Sequence, residues 1–304
     1  MTRPSWAGIF PSIATPFQRD GGLDLEGQRA IVSFAVESGS HGLICFGLAG
    51  EVFRLTPSER LELLSAIVEE CNGRIPVLAG VGTEAEHTSV QLARAAASVG
   101  ADGLVVPPPL TAPASSSELL HYFETVGNAV DLPIMIQDAP EYLKVEVGPS
   151  VVAQLVDRLP NLAALKLEVA ADALAPWVEA FAERLNIFCG NGGLYLLDCL
   201  RFGAAGIAPG VDLVDVLVDI HELWQADQAE EAWQRLRMVL PMIAFQMQDI
   251  DHYNATAKYV LGKRGILPAP HLRAPAYRLD ASGEQIMDEY LDRLKLVAVT
   301  DNRR

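Results

Sequence analysis

Short apolar runs alternate with longer amphipathic ones along the first 210 residues. The runs occupy 8–15, 42–46, 76–81, 103–106, 133–137, 162–167, 186–189 and 206–208. They are bounded by Gly or Pro and often β-branched, as strands buried on both faces of a parallel sheet are. Between them apolar positions recur at helical spacing over 25–38, 57–71, 84–99, 115–130, 149–158, 172–184 and 193–202. Thr56-Pro57-Ser58-Glu59 combines an N-cap with a proline in the first turn, and Gly39, Gly73 and Gly100 stand at helix ends. Eight strands alternating with helices predict an α/β fold, the (β/α)8 TIM barrel. An open doubly wound sheet is the alternative. It usually carries a Gly-rich phosphate loop after its first strand, where this chain has Thr15-Pro16-Phe17.

Beyond residue 210 the periodicity is helical throughout, over 211–225, 228–248, 249–261 and 283–299. The first of these completes the barrel. The predicted organisation is therefore a barrel with the active site over 1–227 and a C-terminal helical extension over 228–304.

Composition narrows the function. The chain has 304 residues, 50% of them hydrophobic and 20% charged, which excludes a disordered protein. A core of that size needs neither disulfide nor metal. Lys plus Arg is 23 against 39 for Asp plus Glu, a net charge of −16. That balance argues against nucleic acid and anionic membrane surfaces as partners. No apolar run of about 18 residues spans a membrane, and residues 1–17 lack the pattern of a signal peptide. The expectation is a soluble cytoplasmic protein whose Cys45, Cys71, Cys189 and Cys199 act as small buried hydrophobes. Its six histidines show no metal-ligand spacing, and no metal is expected. Asp249 and His252 are neighbours on a helix and read as a polar face.

Barrel enzymes carry their active sites at the C-terminal ends of the strands. That rule selects Ser12, Thr15, Gly47-Leu48-Ala49-Gly50-Glu51, Gly82, 107–109, Gln137-Asp138, Lys166 with Glu168, Gly190-Asn191 and Pro209-Gly210. The five lysines are Lys144, Lys166, Lys258, Lys263 and Lys295, and Lys166 stands inside the apolar run Leu162-Ala163-Ala164-Leu165-Lys166-Leu167. Burial disfavours an ammonium, and the neutral amine is the form that attacks a carbonyl to give a Schiff base. A lysine that snorkels to solvent or pairs with Glu168 is the alternative. Gly47 and Gly50 allow backbone N–H groups to turn toward a carboxylate, though a plain turn has the same glycines.

Taken together, these residues resemble a known family. Gly47-x-x-Gly50-Glu51 with Leu55 and Glu59, the Pro-rich loop after the fourth strand, Lys166 in the sixth and Gly190-Asn191-Gly192 after the seventh are similar to the dihydrodipicolinate synthase / N-acetylneuraminate lyase family. The similarity in order and spacing runs from Gly8 to Gly210, and the helical tail fits it. The resemblance implies a barrel with a helical extension, assembled as a homotetramer or homodimer. It implies a lysine that forms a Schiff base with a 2-keto acid such as pyruvate, with no cofactor beyond that imine. Lys166 matches the Schiff-base lysine. The Gly47–Gly50 turn matches the carboxylate-binding turn, with Ser12, Leu48, Ala49 and Gly50 as candidate binding residues. Gly190 and Asn191 match the segment that contacts substrate hydroxyls, and Ala208 joins them at the end of the last strand.

The sequence also departs from the family. Leu48 and Ala49 replace the usual hydroxyl residues between the glycines. Gln137 stands where the family's fifth-strand tyrosine falls, and Leu110 near the place of a second tyrosine that reaches across a subunit interface. A glutamine does not shuttle protons near neutral pH. Gln137-Asp138-Ala139-Pro140, Lys166-Leu167-Glu168, Thr256-Ala257-Lys258 and Gly265-Ile266 resemble instead the family's sugar-acid dehydratases, 2-keto-3-deoxy-L-arabonate dehydratase in particular. The expected activity is dehydration of a 2-keto-3-deoxy sugar acid through Lys166. Glu168, two residues on, faces the same way on a strand and is the candidate acid/base, with Gln137 as a third catalytic residue. Asp138 points to the opposite face from Gln137 and reads as a packing or capping residue. The alternatives are a pyruvate-releasing retro-aldolase, a condensing enzyme of the dihydrodipicolinate synthase type, and a barrel that has lost catalysis and binds a keto acid.

Overall fold

The computed structural model describes residues 3–109 and 114–296. Its first half runs β1 (Gly8–Ile9), α1 (Leu25–Glu37), β2 (Leu43–Cys45), α2 (Pro57–Cys71), β3 (Val77–Gly80), α3 (Glu86–Val99), β4 (Gly103–Val106) and α4 (Ser116–Gly127). The second half of the barrel follows as β5 (Ile134–Asp138), α5 (Pro140–Leu143), α6 (Gly148–Arg158), β6 (Leu162–Leu167), α7 (Ala171–Phe181), β7 (Asn186–Cys189), α8 (Leu196–Arg201), β8 (Gly206–Ile207) and α9 (Val214–Gln225). The chain ends in α10 (Ala229–Gln246), α11 (Ile250–Lys263) and α12 (Ala281–Leu294).

The eight strands are parallel and hydrogen-bonded in the order β1-β8-β7-β6-β5-β4-β3-β2. Ser12 bridges both Gly210 and Ile44, which joins the two ends of that order into a barrel. The predicted strand at 8–15 is thus shorter than its apolar run. Pro11 has no N–H to give to a ladder, so β1 stops at Ile9 and resumes only as the isolated bridges of Ser12.

Two apolar layers follow from strand alternation. Phe10, Ile44, Leu78, Val105, Met135, Ala164, Phe188 and Ala208 fill the barrel interior, with Trp6 below them. The residues between them, such as Leu43, Val77, Leu104, Ile134, Leu165 and Ile187, pack outward against the helices. Strand β6 breaks this rule once. Ile134 pairs Leu162 but Met135 pairs Ala164, so Ala163 is a bulge and both alanines face inward. Plain alternation from Ala163 would turn Leu165 inward and Lys166 outward. The bulge shifts the phase and aims Lys166 into the barrel.

Helix α2 begins with the full capping box, Thr56 accepting from the Glu59 N–H and Glu59 from the Thr56 N–H. The predicted helix at 193–202 starts later, at Leu196. Gly192 and Gly193 have φ of 62° and 86°, which hold the chain in a single 3₁₀ turn first. The four-residue helix α5 has no periodic signal to announce it. The described cysteines are buried and unpaired. Among the described residues no helix is long and apolar enough to cross a membrane.

Candidate active site

The C-terminal ends of the strands open into a small cavity. At its floor Lys166 Nζ is ion-paired with Glu168 Oε1, and both residues are buried. Gln137, paired with Lys166 across β5 and β6, donates from Nε2 to the same Glu168 oxygen at 3.2 Å. The inward phase set by the bulge therefore brings Lys166, Glu168 and Gln137 into one cluster. Gln137 stands behind Glu168, while Lys166 and Glu168 form the cavity surface. Asp138, on the other face of β5, accepts from the N–H groups of Val147 and Gly148, each at 3.1 Å. It caps the entry to α6, and burial pushes its carboxyl above the usual range.

On one side of the floor lie Ser12, Leu48 and Ala49. The 3₁₀ turn Leu48–Gly50 spends the Gly50 and Glu51 N–H groups on internal bonds to Gly47 and Leu48. Gly50 itself stands behind the wall, its carbonyl accepting from Thr15 Oγ1 at 2.6 Å. Glu51 follows in the left-handed region at φ 53°, fully buried, and its carboxylate is ion-paired with Lys258 and Arg54. Asn254 Nδ2 also donates to the Leu48 carbonyl at 3.3 Å. The turn is thus held from α11.

The opposite side carries Tyr142, Asn191 and Gly192. The Tyr142 hydroxyl donates to Asn191 Oδ1 at 3.3 Å, and Asn191 Nδ2 donates to the Val169 carbonyl at 3.0 Å. Burial, reinforced by the negative charge of Glu168, pushes the Tyr142 phenol up to about 12. Gly190 does not line the cavity. Its missing side chain makes room for Glu168.

Ala208, Pro209 and Gly210 complete the rim together with Met247, Ile250 and Tyr253. The last three belong to the helical extension, so the site is shared between the two segments of the predicted organisation. Tyr253 donates to Asp212 at 2.9 Å, and Gln246 Nε2 donates to the other Asp212 oxygen at 2.7 Å. Both Asp212 and Tyr253 are held above their usual ranges, first by burial. Among the described residues that line the cavity, Lys166 is the one cation and Glu168 the one anion.

Sequence reasoning missed three features here. Tyr142 and Tyr253 supply phenols from positions outside the strand ends, which the barrel rule does not inspect. Lys258 is a second buried lysine, held between Glu51 and the His271 carbonyl and 4.4 Å from the Phe17 ring centre. It lies inside an amphipathic helix, where a lysine reads as surface. Leu110, near which the family's second tyrosine falls, lies outside the described residues. Among the described residues, no three His, Cys, Asp or Glu side chains gather as a metal site would need.

Comparison with known proteins agrees with this fold. The sequence model of the Dihydrodipicolinate synthetase family matches residues 5–294. An uncharacterized DapA-like lyase of Halobacterium salinarum is 32% identical over 296 residues, covering 95% of this chain and 94% of that protein. YagE of Escherichia coli K12, a putative 2-dehydro-3-deoxy-D-gluconate aldolase, is 27% identical over 298 residues, covering 96% and 98%. The crystal structure of YagE in complex with pyruvate superposes with a TM-score of 0.90 at 26% identity, over 96% of this chain and 99% of that one. A dihydrodipicolinate synthase from Rhodopseudomonas palustris superposes with a TM-score of 0.88 at 28% identity, over the same shares.

Proposed function

Because this chain belongs to the dihydrodipicolinate synthetase family and is a Schiff-base lyase, we propose that it dehydrates a 2-keto-3-deoxy sugar acid through an imine on Lys166. The observation that carries this reading is the Lys166–Glu168–Gln137 cluster at the cavity floor. A carboxylate in contact with the amine is a base beside the carbon next to the imine. Gln137 orients it and carries no transferable proton of its own.

The chemistry follows from these groups. Lys166 passes a proton to Glu168, and its amine attacks the C2 carbonyl of the substrate. Glu168 returns that proton to the carbinolamine oxygen, which leaves as water, and the protonated imine that results acidifies C3. Glu168 removes a C3 proton, the C3–C4 double bond forms, and the C4 oxygen departs as water. Hydrolysis of the imine frees the product and restores Lys166. The substrate carboxylate is held by Ser12 and by the N–H groups of Leu48 and Ala49, the part of the turn that faces the cavity.

The walls favour a tail with hydroxyls and no second charge. Tyr142, Asn191 and Tyr253 offer neutral hydrogen-bonding groups, while among the described lining residues no cation besides Lys166 remains for a distal carboxylate or phosphate. The second reading, a retro-aldolase on the same class of substrate, is favoured by the likeness to YagE. It breaks the C3–C4 bond and releases pyruvate. The homo-oligomeric state that the family resemblance implies is part of the proposal.

Borohydride reduction in the presence of a 2-keto-3-deoxy pentonate, read by mass spectrometry, tests the imine. The expected result is one adduct on Lys166, absent in Lys166→Ala, with turnover reduced by at least about 10³-fold. No adduct, or one that persists in Lys166→Ala, overturns the reading. A lactate dehydrogenase coupled assay separates the two reactions, since the aldolase yields pyruvate and the dehydratase does not.

A further inference from the structure

Elimination of water needs two proton transfers, one from carbon and one to the departing oxygen. Glu168 serves the first in the reading above, and nothing in that reading serves the second. Tyr142 and Glu168 line the same cavity, and the Glu168 charge adds to burial in raising the phenol. Its proton has a defined direction. Asn191 spends its amide N–H on the Val169 carbonyl, which turns Oδ1 toward the Tyr142 hydroxyl. The hydroxyl-to-Oδ1 distance of 3.3 Å is long for an O–H···O bond, so a substrate oxygen arriving beside it competes well for the proton. Pro140 opens α5, and Leu143 is buried, which fixes the single turn that carries Tyr142 at the cavity edge.

We propose that Tyr142 is the general acid of the reaction, giving its proton to the C4 hydroxyl of the substrate as the C4–O bond breaks. The inference rests on the dehydratase reading. The step balances within the site. Glu168 takes the C3 proton, and the C3–H electron pair becomes the C3–C4 double bond. The C4 oxygen leaves with its own hydrogen and the Tyr142 proton as water. The phenolate then recovers the proton that Glu168 holds. That return runs downhill, because Tyr142 holds its proton more tightly than a free phenol does. At neutral pH the phenol therefore starts each turnover protonated.

The test compares two leaving groups in the wild type and in Tyr142→Phe. A hydroxyl must be protonated to leave, whereas fluoride leaves without a proton. The substrates are a 2-keto-3-deoxy pentonate and its analogue with fluorine in place of the C4 hydroxyl. For Tyr142→Phe, kcat for water loss is expected to fall about 10²- to 10³-fold. Fluoride release is expected to stay within about threefold of the wild type, and pyruvate is still trapped on Lys166 by borohydride. Fluoride release also reports that the variant is folded. If both reactions slow together, Tyr142 only shapes the cavity and the proposal is overturned. If neither slows, another group is the acid and the proposal is overturned as well. A wild type that eliminates neither group overturns the dehydratase reading itself, an outcome separate from the other two.

Discussion

A Cβ built on Gly190 would lie 2.4 Å from Glu168 Cγ and 2.7 Å from its Oε1. The space beside Glu168 is what a side chain at this position would take. Gly190→Ala is expected to push Glu168 away from Lys166 and Gln137 and to lower kcat about 100-fold. Tm should move by only a few degrees, because the obstacle is a side chain rather than the barrel backbone. A variant that kept full kcat would show that the position of Glu168 is not critical. Lys166 was legible from sequence because a charge inside an apolar run is conspicuous. Tyr142 was not legible. A tyrosine in a polar connection has no pattern to betray it, and only the turn of α5 carries it to the cavity.

At the scale of elements, the segment between α11 and α12 clasps the loops at the top of the barrel. Arg273 donates to both Glu59 oxygens at 2.7 and 3.0 Å, to the carbonyls of Gly21 and Arg54, and stacks 4.3 Å from the Phe17 ring centre. Its guanidinium holds the Glu59 carboxyl down at about 2 against an ordinary value of 4.5. A carboxyl depressed in the folded state stabilises the fold above its unfolded value, and that contribution is lost as pH falls toward its folded value. Glu59→Gln keeps the capping box of α2 but removes the charge. Urea unfolding should find the variant about 1 kcal/mol less stable at neutral pH. The gap should close between about pH 4.5 and 2. A gap independent of pH would assign the loss to packing. The strands and long helices were legible because burial on both faces, or on one, imposes a period. The bulge at Ala163 was not, since Leu162-Ala163-Ala164-Leu165 is apolar in either phase. Only pairing with β5 decides which phase is taken.

At the scale of the molecule, the barrel and the helical extension share one buried ion pair. Lys258 on α11 and Glu51 after the Leu48–Gly50 turn are 2% and 0% exposed at their side chains. Burial lowers the Lys258 amine, and Glu51 opposes that shift. Removing Lys258 leaves the buried Glu51 with Arg54 as its partner, so Lys258→Met should cost about 1–3 kcal/mol in a denaturant titration. Borohydride trapping at Lys166 should survive in the fraction that stays folded, which separates the two buried lysines by role. A cost below about 1 kcal/mol would show that Arg54 alone compensates Glu51 or that Glu51 takes up a proton. The net charge of −16 bears on the same region. Among the described residues that line the cavity, the field that favours an anion is local and comes from Lys166.

The sequence alone determined the alternation of strands and helices, the barrel and the family, and it singled out the buried lysine of β6. Each rests on local order: periodicity, turn chemistry, motif spacing and one conspicuous charge. Tertiary structure decided the rest. The inward phase of Lys166 depends on a bulge, and the walls of the cavity depend on α5 and α11. The partner of Glu51 lies on a helix more than 200 residues away. These are long-range pairings, settled by which surfaces exclude water together, and no local pattern in the chain encodes them.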